Sequence, residues 1–293
     1  MSTIWPVLTF ISGHKAKIMT LHLPRPLLAS FTDQFAPIGL PALNDKAAMM
    51  ARIDNKYVIR RATLDQIAPA LTAYFDVLEI DQRRAFTYDT RYFDDAGHSS
   101  YYEHQRGMRR LFKVRARRYV EANLAYLEVK LKGLRGLTLK HRMALDMIPE
   151  TRLAPASYAF ARDTYSTHYN KDFAYDLRSS LNNRYQRITL VAKSGGERMT
   201  IDTGLTYRNQ AGFLDVGPDV FIVETKSALG RGLADKVLRQ IHVRPVKGCS
   251  KYCIGVAALG DVARFNHFLP TLRKLGIADQ TLQHCPVSIM AAA

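Results

Sequence analysis

Lys113, Arg115 and Arg117 stand at alternate positions between Leu111 and Tyr119, and Glu128, Lys130 and Lys132 do the same between Tyr126 and Lys132. Side chains alternate between the two faces of a β-strand, so each run is read as a strand with one charged and one apolar face. From Arg106 to Arg142 there are twelve Lys or Arg against two Glu. Cations held side by side repel, and such an array persists when something anionic compensates it. The chemistry this predicts is the grip of a polyanion.

The same pattern recurs along the chain. Lys56, Arg115, Arg117, Lys130, Lys132, Lys140, Arg142, Arg187, Arg198, Lys226 and Lys251 are the cations that share a strand face or flank one, and Asp54, Glu128, Asp202 and Glu224 are the anions. If the strands close into a barrel, these residues line its bore, and the apolar alternates (Leu127, Val129, Leu131, Phe221, Val223) face a shell of helices. A bore rich in Lys and Arg suits a chain of phosphates, because Arg grips phosphate oxygens in bidentate fashion. The acids Glu128, Asp202 and Glu224 are then read as ligands of a divalent cation, Mn²⁺ or Mg²⁺, that bridges phosphate oxygens. Glu224 is the leading candidate, since it interrupts a strongly apolar strand where an unpaired carboxylate is costly. An ion pair with a facing Arg is the alternative for it. Asp94, Asp95 and His98 are read as surface residues.

Composition narrows the class of partner. The chain has 293 residues, 47% hydrophobic and 23% charged, with a formal net charge of +16. That suffices for a globular domain with a sizeable core and points to anionic partners. The three cysteines, Cys249, Cys253 and Cys285, are too few for a disulfide framework and indicate a reducing, cytoplasmic setting. Cys249 and Cys253 are read as ordinary residues rather than zinc ligands. No apolar run reaches the roughly 20 residues of a spanning helix. No helix-turn-helix, zinc finger or RNA-binding signature is present, so nucleic acid is not expected as a partner.

Several elements must position these side chains. Strands are predicted at Ala51 to Arg60, Phe75 to Ile80, Arg84 to Phe93, Leu111 to Tyr119, Tyr126 to Lys132, Leu137 to Arg142, Ser180 to Val191, Glu197 to Thr203 and Asp219 to Lys226. Gly133 to Gly136 reads as a turn, and Ser194-Gly195-Gly196 as the turn of a hairpin. Helices are predicted at 63–75, capped by Thr63 and interrupted by Pro69, and at 229–241 and 263–275. These three are expected to cover the outside of the sheet. The segment Ala144 to Tyr175 is read as helix and loop, and Tyr252 to Ala258 as a short apolar run. Residues 1–25 form a lead expected to be disordered, 26–280 the single domain, and 281–293 a tail.

Six short motifs occur in order. Arg52-Ile-Asp-Asn-Lys56-Tyr57, Lys113-Val-Arg115-Ala-Arg117-Arg-Tyr119, Glu128-Val-Lys130, Tyr185-Gln-Arg187 with Arg198-Met-Thr-Ile-Asp202, Glu224-Thr-Lys226 and Ser250-Lys251-Tyr252 together resemble the VTC domain. That is the catalytic domain of the vacuolar transporter chaperone polyphosphate polymerase, in the triphosphate tunnel metalloenzyme (CYTH-like) superfamily. The likeness spans about Ala51 to Tyr252. It implies an α+β fold, an eight-stranded antiparallel closed β-barrel whose bore is the tunnel, with helices packed outside. It implies that Lys56, Arg115, Arg117, Lys130, Arg187, Arg198 and Lys251 act on phosphates and that Glu224 holds the metal. Lys132, Lys140, Arg142, Tyr185, Lys226 and Ser250 are expected to bind substrate beside them. Asp54 replaces the family's opening Glu.

The activity this implies is a polyphosphate polymerase, in which a polyphosphate end attacks the γ-phosphate of ATP and ADP leaves. Hydrolysis of triphosphate or polyphosphate in the same tunnel is the second expectation, and a non-catalytic polyphosphate-binding module the third. Neither an SPX-like region ahead of the tunnel nor membrane helices after it are read in this chain. Export of product would therefore call for an unidentified membrane partner.

Overall fold

The computed structural model describes residues 25–46, 53–133 and 138–279. The N-terminal lead, Arg52, most of the turn at Gly133 to Gly136, Cys285 and the C-terminal tail lie outside these residues. In chain order the elements are α1 (Arg25–Thr32), β1 (Pro37–Ile38), α2 (Leu40–Lys46), β2 (Ile53–Arg60), α3 (Arg61–Tyr74), β3 (Phe75–Leu78), β4 (Ala85–Asp94), α4 (Ser99–Gln105), β5 (Phe112–Tyr119), β6 (Leu124–Lys132), β7 (Thr138–Leu145), α5 (Pro155–Tyr169), β8 (Arg178–Ala192), β9 (Arg198–Arg208), β10 (Phe213–Asp215), β11 (Val220–Ser227), α6 (Leu233–Gln240), α7 (Lys251–Ala258), a 3-10 turn (Asn266–Phe268) and α8 (Leu269–Leu275). The strands read from alternation are present, with β8 and β9 longer than expected. Helix α3 starts before Thr63 and has no side-chain cap.

The main sheet is antiparallel in the order β2-β11-β9-β8-β4-β5-β6-β7. It is not closed: β2 and β7 end the path without pairing to one another. The closed eight-stranded barrel expected from the sequence is therefore incorrect, although the α+β class stands. The physical reason lies at the edges. On the free side of β2 the loop after α6 takes the place of a strand, with Val246 N–H donating to the Lys56 carbonyl at 2.7 Å. At the other end β7 is exposed along nearly its whole length. Covering an edge with a loop is one way a sheet satisfies it without closure. The sheet nevertheless curls strongly. Lys56 on β2 lies close enough to Lys113 and Lys130 to act on their protonation, although β5 and β6 stand far along the strand order.

The convex side is apolar, as the alternation predicts. Leu64, Ile67 and Leu71 of α3 and Val237 and Leu238 of α6 pack with Tyr57, Ile59, Ile188, Met199, Ile201, Phe221 and Val223. Farther along, Ala161, Tyr165 and Tyr169 of α5 pack with Phe112, Val114, Ala116, Leu127, Val129 and Leu131. The remaining predicted cover, α8, lies elsewhere. With α7 it packs against Tyr92, Leu181, Leu205, Tyr207 and Ile222, residues that continue the charged, concave face toward one end. The face changes character at a bulge. Between the pairs Gln186↔Thr203 and Arg184↔Thr206, β9 spends one more residue than β8, at Gly204 with φ 59°. An extra residue shifts the phase of alternation. Thr200 and Asp202 before the bulge and Leu205 and Tyr207 after it therefore lie on the same side. Among the described residues no helix is long and apolar enough to cross a membrane.

Candidate active site

The concave face gathers cations from β2, β5, β6, β8, β9 and β11 around three separate carboxylates. Asp202 is buried on β9. Arg187 holds it as a fork, Nε to Oδ1 at 2.6 Å and Nη2 to Oδ2 at 2.7 Å, and Lys251 Nζ donates to the same Oδ2. Burial alone raises a carboxyl pKa, but the charges of Arg187 and Lys251 outweigh it and hold Asp202 at about 2. Glu128 is equally buried. It accepts from Arg115 Nε at 2.6 Å, pairs with Lys140 and has Arg117 Nη1 at 3.8 Å. Against its burial these cations hold it well below the usual carboxylate range. Glu224, less buried, pairs with Lys226 at 3.1 Å. Burial raises its pKa, but Lys226, Lys56, Arg187 and Lys251 together hold it low.

Aromatic rings order the guanidinium groups. Tyr88 and Tyr185 stack with centroids 5.3 Å apart. Arg187 lies over both, at 5.0 and 5.4 Å, and Arg117 lies over Tyr88 at 5.2 Å. Lys251 Nζ is 4.7 Å from the Tyr185 ring centroid. Such cation–π contacts fix a cation's direction without neutralising it. Among the described residues the buried hydroxyls of Tyr185 and Thr200 have no hydrogen-bond partner, as expected of groups that meet a ligand or solvent.

The other end of the face is built of lysines. Cross-strand pairing sets Lys113 opposite Lys130 and Lys130 opposite Lys140. Lys56 donates to the Cys249 carbonyl at 2.9 Å. Burial is the leading cause that pushes Lys113 down to about 7; Cys253 comes next and opposes it, and Lys130, Lys56 and Arg115 add to the lowering. Burial and Lys56 are the leading causes that push Lys130 down to about 8. His104 beside them is pushed down to about 2 by burial and by Lys113, so it stays neutral.

Most sequence-predicted residues meet on this face: Lys56, Arg115, Arg117, Lys130, Arg187, Lys226, Lys251, Tyr185, Glu128, Asp202 and Glu224. Arg198 joins them, paired in register with Lys226. Lys132, Lys140 and Arg142 lie on an exposed rim, Arg142 over the Tyr126 ring at 5.1 Å. Ser250 caps α7, its Oγ accepting from Cys253 N–H at 3.4 Å. The three carboxylates do not converge, and among the described residues no trio of His, Cys, Asp or Glu is placed to hold a metal. Glu128 and Asp202 instead serve as counter-ions to Arg115 and Arg187. Glu224 fits a cation that takes one protein carboxylate and completes its shell with substrate oxygens, a common habit of Mg²⁺.

Sequence reasoning missed Tyr88 and Thr90, which line the face from β4. Their alternation with Tyr92 was the available signal. It also misplaced Asp94, which is fully buried. Asp94 accepts the N–H groups of Ser100 and Tyr101 at the start of α4 and the hydroxyl of Tyr252, tying α4 to α7. Cys249 and Cys253 are buried free thiols. A cavity of about 640 Å³ opens away from the lysines, lined by His98, Arg152, Arg178, Ser180, Arg208 and Asp261. It shares none of the phosphate-gripping residues named above.

A family model described as VTC domain matches residues 51–260. No curated protein sequence matches the chain. Among solved structures, the PH1012 protein from Pyrococcus horikoshii OT3 aligns at 9% identity, TM-score 0.37, over 66% of this chain and 91% of its own. The Hippeastrum protein HpAC1, named as a candidate adenylyl cyclase with a dominant triphosphatase activity, aligns at 12% identity, TM-score 0.37, over 69% of this chain and 94% of its own.

Proposed function

Because the chain belongs to the VTC domain family through residues 51–260, we propose that it is a phosphotransferase that extends polyphosphate with the γ-phosphate of ATP. In this reading a terminal oxygen of the chain bonds to the γ-phosphorus. The bond from that phosphorus to the β,γ-bridging oxygen breaks, and ADP leaves with the electron pair. Arg117 and Arg187, aimed by Tyr88 and Tyr185, receive the equatorial oxygens. Lys251, seated on Asp202, is the cation assigned in this reading to the charge that builds on the leaving group. Such transfer needs positioning and charge stabilisation more than covalent help. A divalent cation held at Glu224 would neutralise phosphate oxygens when bound.

One observation carries transfer over hydrolysis. A phosphate-chain end arrives already ionised and needs no base, whereas an attacking water must lose a proton. Glu128, Asp202 and Glu224 are each engaged by cations and held below their ordinary range, which makes these three poor bases. Asp54 and Lys113 are the other groups of the face that could serve a water, and the products formed decide between the two reactions.

The test incubates the protein with ATP and Mn²⁺ or Mg²⁺, with and without a short polyphosphate primer, and follows phosphorus by NMR. Growth of internal-phosphate signal with release of ADP supports the polymerase. Orthophosphate as the only product replaces it with a tunnel triphosphatase or polyphosphatase. Saturable polyphosphate binding without turnover reduces it to a binding module.

A further inference from the structure

The concave face is electrostatically uneven. Arg187 has Asp202, Arg115 has Glu128 and Lys226 has Glu224, each within an ion pair. Lys113 and Lys130 make no ion pair among the described residues, and they stand directly opposite one another across β5 and β6. Like charges in that relation destabilise a sheet. No carboxylate relieves Lys113: Lys56, Lys130 and Arg115 are cations, His104 is neutral, and the one group that opposes the lowering, Cys253, is a buried thiol whose own pKa burial raises. Asp54 and Glu224 act on Lys130, with Lys56 and Arg115 opposing them.

We propose that Lys113 and Lys130, with Lys56, form the seat for the terminal phosphate of a linear phosphate chain, and that Lys113 contacts that phosphate directly. The inference rests on the phosphate-transfer reading above and refines it. A terminal phosphate carries close to two charges at neutral pH, since its second pKa is near 6; an internal unit carries one. Of the three lysines Lys56 has an acid directly opposite, Glu224, which also acts on Lys130, whereas no carboxylate acts on Lys113. The Lys113–Lys130 pair is the part of the face with the least counter-charge and matches the most charged unit. Ammonium groups suit it chemically, being compact point charges that reach a rotating terminal group from several sides, whereas guanidinium forks suit fixed pairs of oxygens. Chain ends of polyphosphate and the γ-phosphate of a nucleotide share this chemistry.

Binding of linear tripolyphosphate and of cyclic trimetaphosphate, which has no terminal unit, is measured by calorimetry for the wild type, Lys113→Met and Lys113→Arg. The wild type is expected to prefer the linear compound. Lys113→Met should weaken linear tripolyphosphate by about tenfold or more, the scale of one charge-assisted contact, and change the cyclic compound by less than about threefold. Lys113→Arg should keep most of the preference. Equal loss for both compounds, or no loss in Lys113→Met, overturns the seat while leaving the function intact. Failure of the wild type to bind either compound overturns the phosphate-transfer reading itself. A non-hydrolysable ATP analogue separates the two sources. If its affinity falls with that of tripolyphosphate, the seat receives a γ-phosphate; if it does not, the seat receives the polyphosphate end.

Discussion

Arg187 and Asp202 face each other across neighbouring strands as a two-pronged pair, at 2.6 and 2.7 Å, and Lys251 from α7 closes on the same carboxylate. The pair makes the arginine available to a ligand without leaving a buried charge uncompensated. It also couples the sheet to the helix that lies on it.

Replacing Asp202 with Asn should leave Arg187 buried without its counter-charge. Breaking such a pair costs about 3 kcal/mol, read as a lower urea midpoint at pH 7. The pH dependence follows from the sign of the shift. Asp202 is held at about 2, below its ordinary 3.8, so its contribution is present above about pH 4 and is lost as pH falls through about 2. Acid unfolding of Asp202→Asn should lack that component, and an unchanged acid profile would count against the pairing.

Glu224→Gln removes the carboxylate proposed to hold a divalent cation while keeping its size. Turnover should fall by about 100-fold or more, the scale of lost electrostatic stabilisation, with tripolyphosphate binding retained. Chelation of metal should produce a similar loss in the wild type and little further loss in the variant. Unchanged turnover in Glu224→Gln would remove Glu224 from the metal role.

Gly255 allows α7 to sit on β8 and β9. A Cβ there would lie 2.5 Å from Leu181 Cδ2 and from Tyr207 Cδ1. Gly255→Ala should cost roughly 1–3 kcal/mol through overpacking and weaken phosphate binding by displacing Lys251. Thermal melting and tripolyphosphate titration on the same sample check both. An unaltered melting temperature would show that the contact yields easily.

Lys113 should oppose folding. Its folded pKa of about 7 lies below the ordinary 10.5, so the unfolded chain binds more protons between these values. The wild type should gain stability as pH rises from 7 toward 10. Lys113→Met should melt higher than the wild type at pH 7 and gain less over that interval. A lower melting temperature for Lys113→Met would mean that the lysine is satisfied in the fold.

Much of the site was legible because strand geometry makes it so. The period of two put Lys113, Arg115 and Arg117 on one face of β5 and Glu128 with Lys130 on one face of β6, and strand pairing joins these into a single face of the sheet. The short motifs located Arg187, Asp202, Glu224 and Lys251. Alternation could not say which acid meets which base, because that depends on neighbours distant in the chain. Glu128 is paired by Arg115 and Lys140 from the strands on either side, and Asp202 by a strand and a helix. Asp94, read as surface, is buried because α4 and α7 bring their hydrogen-bond donors to it.

The amino-acid sequence by itself determined the strands, the sign of charge on their shared face, the apolar face beneath the helices and the family. These properties are local, set by the alternation of side chains along extended backbone. Tertiary structure alone decided that the sheet stays open, that the Tyr252 to Ala258 run is a helix lying on the concave face, and that among the described residues Lys113 and Lys130 make no ion pair. An apolar run of that length fits helix or strand equally until its packing partners are known. Edge closure and ion pairing are likewise relations between residues far apart in the chain, and long-range strand order settles them.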